Sequence, residues 1–172
     1  MKSSCLIRDI AMGLVAGAAA TFVMDKVSTW GYSLEDPKVR DYEEKLRNGE
    51  YPPEVLAKKA TEFATGVTPA KETTNKLGMA IHWGYGILWG GLFGALRSRV
   101  PVIGSAAGLT YGTGLWLIGD ELMMPVLKLS PCSTDFPWQN HVRAFTNHAA
   151  YGSSLWLTLE VLSRLDDQAA KP

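Results

Sequence analysis

Cysteine is nearly absent: Cys5 and Cys132 are the only two in 172 residues, and no CxxC or other metal-ligand cysteine spacing occurs. A disulfide-built scaffold and a cysteine-ligated metal centre are therefore not expected. Net charge is absent too, since 17 Lys and Arg balance 17 Asp and Glu. No basic surface recommends nucleic acid as a partner. The sequence also lacks a nucleophile elbow, a phosphate-cradling glycine loop and a dinucleotide fingerprint, so an enzyme is not expected.

The most informative absence is local. Residues 10–24, 77–96 and 100–119 hold no Asp, Glu, Lys or Arg, whereas residues 31–76 hold 17 of the 34. A mean hydropathy of zero thus averages two different materials. Charge-free stretches of this size approach the ~20 residues that cross a hydrocarbon core of about 30 Å. The expected fold is all-α: a single four-transmembrane-helix bundle with spans at about 10–30, 77–96, 103–125 and 142–163, and a polar loop over 31–76. For the first stretch, Asp25 and Lys26 interrupt the run, and a cleaved signal peptide with Lys2 and Arg8 ahead of "AGAAA" is the competing reading. With four spans, Cys5 and Cys132 lie on opposite sides of the bilayer and cannot be bridged within one chain.

Glycine is abundant, and 14 of its 17 occurrences fall within these spans. Small residues four apart let helix backbones approach closely in lipid. Gly13 and Gly17, Gly86, Gly90 and Gly94, and Gly104, Gly108 and Gly112 have that spacing and are read as packing faces. Basic flanks at Lys2, Arg8, Arg97, Arg99 and Arg164, including the tight turn "RSRVP", put both termini in the cytoplasm. In the long loop, Val39, Tyr42 and Leu46, then Val55, Leu56 and Phe63 up to Gly66, predict two short amphipathic helices at the membrane surface or over the bundle mouth. The loop after the third span carries prolines and is not helical throughout, and its Trp138 suits an interfacial anchor.

Ionisable residues inside spans are expensive and usually face an interior or a cavity. At about 1.5 Å per residue, Asp25 lies about 22 Å along the first span and Asp120 about 25 Å along the third. His82 and His148 lie about 7 and 9 Å along the second and fourth, which run the opposite way. All four therefore occupy one leaflet, with Glu121 joining them or reaching the interface. Glu160 falls at the other face, where Arg164 at i+4 explains it. Alternate spans also share strings. His82 and His148 both open H-x-x-Y-G, while Gly13, Gly17 and Asp25 match Gly108, Gly112 and Asp120, as a duplicated two-helix unit would.

A cluster of Asp25, His82, Asp120, Glu121 and His148 suits several chemistries. It could relay protons, bind zinc, manganese or iron, or supply His82 and His148 as the axial pair of a b-type haem. Alternatively, each histidine simply pairs with a neighbouring acid and holds the bundle together. Four helices leave little room for a translocation path, so a transport role would call for a homo-oligomer.

The strings "GLVAGAAATFVMDKV" and "LSPCSTDFPWQNHVRAFTNHAAYG", with D-x-P-W at Asp135, Pro137 and Trp138 and His148 beyond it, resemble the YagU-like family of small bacterial inner-membrane proteins, a domain of unknown function. The long polar first loop departs from that pattern. The resemblance implies an uncleaved first span in the bacterial inner membrane and supplies no catalytic residues. With the polar cluster it leads to an expected role as a proton- or ion-linked component in acid or envelope stress.

Overall fold

A computed structural model of the protein describes residues 3–97 and 106–169. The Lys2 and Arg99 flanks, the "RSRVP" turn after Arg97 and Gly104 lie outside the described residues, as does the start of the third predicted span. Among the described residues there is helix and no strand. The order is α1 (Ser3–Leu34), α2 (Pro37–Leu46), α3 (Pro52–Thr65), α4 (Lys71–Arg97) and α5 (Ala107–Leu115). A π-helical segment (Trp116–Met123) and α6 (Met124–Val126) continue α5, and a 3-10 turn (Ser133–Asp135) precedes α7 (Trp138–Ala169).

Four long rods run along α1, α4, α5 with its π extension, and α7. Helix α1 packs on α4 and α7, and α7 packs on α5. The two tightest crossings are made by the glycines read from the sequence. A Cβ on Gly13 would meet the Gly90 carbonyl oxygen at 2.5 Å, and one on Gly17 would meet that of Gly86 at 2.8 Å. On the other pair, Cβ atoms on Gly108, Gly112 and Gly152 would run into the backbones of Gly152, His148 and Gly108 respectively. Backbone contact of this closeness leaves no room for any side chain. Around it sit Ala16, Ala20, Phe93, Tyr151, Leu155 and Leu159, all buried.

Large apolar side chains face outward instead. Ile7, Val15 and Phe22 on α1, Leu77, Met79 and Leu88 on α4, Leu117, Ile118 and Leu122 on the π segment and Leu157, Val161 and Leu165 on α7 are all exposed. By length and composition, one described helix qualifies for crossing a membrane: α1, over Leu6–Leu34. The first turns of α7 carry Asn140, His141, Arg143, Asn147 and His148, and α4 is rich in glycine, which lowers their average hydropathy. Near one end of the bundle, Arg8 pairs with Asp166 at 2.7 Å, so the start of α1 and the end of α7 lie together.

Both short helices expected in the long loop form. Asp36 caps α2 by accepting from the Lys38 N–H at 2.8 Å, with Pro37 at its first position. Helix α3 opens on Pro52 and Pro53 and stops at Gly66, whose φ of +70° is the left-handed ending glycine favours. It lies on α4 where Gly78 leaves space for Glu54. Its Lys59 donates to the Lys128 carbonyl at 2.7 Å, and Tyr42 of α2 donates to the Asp135 carbonyl at 3.2 Å. Together, α2, α3 and the stretch after the π segment close over the end of the bundle away from Arg8 and Asp166.

Candidate functional site

Beneath this cover lies a cavity of about 620 Å³. His82, Asp120, Glu121 and His148 all line it. Asp25 stands just behind, with its Oδ1 2.9 Å from His82 Nε2. The five candidate residues therefore meet at one level of the bundle, as direction of travel through the helices requires.

They meet as pairs. Asp25 of α1 holds His82 of α4, and Asp120 of the π segment lies 3.5 Å from His148 Nδ1 of α7, which also contacts the Ala144 carbonyl oxygen at 3.0 Å. Asp25 does not turn to Lys26, which instead sits 5.1 Å over the Phe22 ring. The two pairs occupy matching places in the strings that alternate rods share. Each follows a glycine crossing, Gly13 and Gly17 on α4 in one case, Gly108 and Gly112 on α7 in the other. The second half of the H-x-x-Y-G string is used differently. Tyr151 is buried and donates to the Gly86 carbonyl at 2.6 Å, whereas Tyr85 is exposed to the cavity.

The π segment explains how two adjacent acids reach one cavity. In an α register the Pro125 ring would clash with the Glu121 carbonyl, and its missing N–H would leave that carbonyl unpaired. The chain widens instead, with the Met124 N–H donating to the Gly119 carbonyl, the i→i−5 bond of a π turn. Asp120 and Glu121 both line the cavity. Glu121 does not pair with His82 or His148. It accepts from Ser133 and lies 2.7 Å from His141 Nδ1. Glu160 is paired with Arg164 at 3.1 Å, as its spacing implies.

A second group of polar residues escaped the sequence reading. Arg143 of α7 donates to Glu35 at 2.9 Å and to Glu43 at 2.5 Å. The same Glu43 oxygen accepts from Arg47 at 3.1 Å and from Asn140 at 3.2 Å. Glu43 is 1% exposed, so this carboxylate is viable only because two guanidiniums compensate it. Arg47 also lies over the rings of Tyr51 and Phe136. Burial, with Tyr32 beside it, holds the Tyr51 phenol above its ordinary range and keeps it neutral. The only sequence signal for this network was the place of Asn140 and Arg143 in "DFPWQNHVRAF", within the string that carried the family resemblance.

Among the described residues, no group of three or more His, Cys, Asp or Glu gathers in a way that could hold an ion.

The family described as "Protein of unknown function (DUF1440)" matches residues 46–157, and the chain belongs to it. The match takes in α3, α4, the π segment, the D-x-P-W string and His148, and leaves out the first helix with its "GLVAGAAATFVMDKV". No curated protein and no solved structure matches the chain.

Proposed function

We propose that this member of the DUF1440 family is a non-enzymatic, YagU-like protein of the bacterial inner membrane that crosses the bilayer four times and handles protons through its Asp–His pairs. The observation that carries the reading is the duplicated arrangement: Asp25 with His82 and Asp120 with His148, on one cavity, at one end of two glycine-crossed helix pairs. Histidine titrates near neutral pH, and a carboxylate partner beside it makes the pair a proton acceptor under mild acid. The outward-facing Leu, Ile, Val and Phe of the rods, which meet at glycine crossings, support a lipid-facing surface. The neighbouring ends of α1 and α7 at Arg8 and Asp166 support termini on one side, and the basic flanks place them in the cytoplasm. A role in acid or envelope stress, with copies assembled as a homo-oligomer, follows from this reading.

The test is proton flux into proteoliposomes loaded with a pH-sensitive dye, driven by a potassium diffusion potential. The wild type is expected to acidify the lumen several-fold faster than protein-free vesicles, and His82→Ala and His148→Ala to lose most of the difference. Flux no greater than in protein-free vesicles sinks the reading. The haem alternative through His82 and His148 is checked on the same preparation by its absorption spectrum, where a Soret band would establish it. A purely structural role is the outcome if flux is absent and both variants fail to assemble.

A further inference from the structure

The cavity carries more negative charge than its pairs require. Asp25, Glu35, Glu43, Asp120 and Glu121 line it or bond to residues that do, against the guanidiniums of Arg47 and Arg143. Counting Arg40, which lies 5.4 Å from the Tyr32 ring that Arg143 also approaches, the acids still outnumber the guanidiniums. Both wall arginines are engaged by Glu43, and Arg143 by Glu35 as well. Asp25, Asp120 and Glu121 have no guanidinium partner; Asp25 has His82 at 2.9 Å and Glu121 has His141 at 2.7 Å, which leaves Asp120 the most loosely held. Its side chain is 40% exposed and is held only by His148 at 3.5 Å.

The walls beside it are aromatic and soft. Tyr85 and Trp89 meet edge to face at 5.7 Å, and both line the cavity, as do Met24, Met123 and Met124. Asn147, 9% exposed, also lines it, and its Oδ1 has no hydrogen-bond partner. A carboxylate, aromatic faces and an unused amide acceptor are the elements that recognise a desolvated organic cation. No three His, Cys, Asp or Glu of the described residues gather at one point as an inorganic divalent cation would favour.

We propose that the cavity binds an organic cation with an apolar body, a quaternary or protonated amine or its phosphonium equivalent, with Asp120 as counter-charge and Tyr85 and Trp89 as the cation's aromatic wall. The proposal rests on the proton-handling reading and gives it a second ligand. A proton on His148 or His82 cancels the charge that holds the cation, so the two exclude each other. The groups facing Asp120 are His148 of α7, Glu121 of its own segment, Arg47 at the end of α2 and His82 of α4, with the Asp25 carboxylate behind His82 and the Tyr85 phenol on the same cavity.

The experiment uses the full chain in a mild detergent, with Trp fluorescence and calorimetry as readouts. The probe is tetraphenylphosphonium, and the control is tetraphenylborate, which has nearly the same shape and the opposite charge. Expected at pH 8 are saturable binding of the phosphonium, at least tenfold weaker binding of the borate, and a tenfold or greater loss of phosphonium binding in Asp120→Asn. Glu160→Gln, at the far end of the bundle, should bind as the wild type does. Equal binding of the two probes, or no saturable phosphonium binding to the folded wild type, overturns the proposal. These wild-type comparisons stand even if Asp120→Asn fails to fold. At pH 5.5 phosphonium affinity should fall at least tenfold. Binding that ignores pH would keep the cation site and remove its coupling to protons, whereas proton flux without phosphonium binding would do the reverse.

Discussion

His82 Nε2 lies 2.9 Å from Asp25 Oδ1 across the α1–α4 interface, and a looser pair of the same residue types stands between His148 Nδ1 and Asp120 at 3.5 Å. Each contact stands beside a crossing of glycines. They also make the halves of the bundle separately testable.

The first test concerns the crossings. Gly152→Leu and Gly90→Leu would drive a side chain into a facing backbone and are expected to lose most of the folded protein. Gly84 and Gly114 have open space around them. Alanine there should be neutral or stabilising by up to ~1 kcal/mol, the helix preference of alanine over glycine. Thermal unfolding in detergent, followed by size exclusion, reads both outcomes.

The second test concerns the buried carboxylate. Arg143→Met removes the shortest of the three contacts to Glu43 and leaves that carboxylate to Arg47 and Asn140. Breaking a buried pair in this way costs about 3–5 kcal/mol. Adding Glu43→Gln should recover part of the loss. Additive losses in the double variant would show that the pair is not coupled.

The third test concerns the thiol at the cavity end. Cys132 accepts a hydrogen bond from the Thr134 hydroxyl at 3.3 Å, which lowers its pKa. A lower pKa means more thiolate at a given pH, so alkylation near neutral pH should outpace that of an ordinary exposed thiol. Thr134→Ala should slow it. In a Cys5→Ser background, a membrane-impermeant maleimide should label Cys132 from the periplasmic side of intact cells. Labelling only after lysis would reverse the proposed orientation.

The fourth test concerns the wide turn. Pro125→Ala restores an N–H and removes the ring that an α register cannot accept. The segment is expected to relax toward α-helix and turn Asp120 relative to His148, weakening their contact. Loss of coupling between Asp120→Asn and His148→Ala in the proline-free background would show it, and undiminished coupling would separate the turn from the site.

Much of this was legible in residue order. Charge-free stretches marked the rods, glycine spacing marked the crossings that Gly13, Gly17, Gly108 and Gly112 make, and counting rise from each end put His82, His148, Asp25 and Asp120 at one level. The Glu43 network was not legible, because Glu43, Arg47 and Arg143 sit in polar surroundings where nothing in the spacing tells a solvated charge from a buried one. Glu43 even lies on a helix whose other faces are exposed. His141 went unread for the same reason, lying among polar residues where α7 begins. The register change at Trp116–Met123 left only Pro125 as a signal, and a proline near a helix end also fits an ordinary stop.

The packing order of the rods also bears on synthesis. Helix α1 finds α4 early, while α5, which reaches α4 through Tyr111, makes its main contact with α7, the last element made. Asp25 and His82 can meet while the chain is still emerging. Asp120 and Glu121, by contrast, wait on the newest part of the chain for His148 and His141. Until then Asp120 lacks its histidine, and Glu121 has the Ser133 hydroxyl alone.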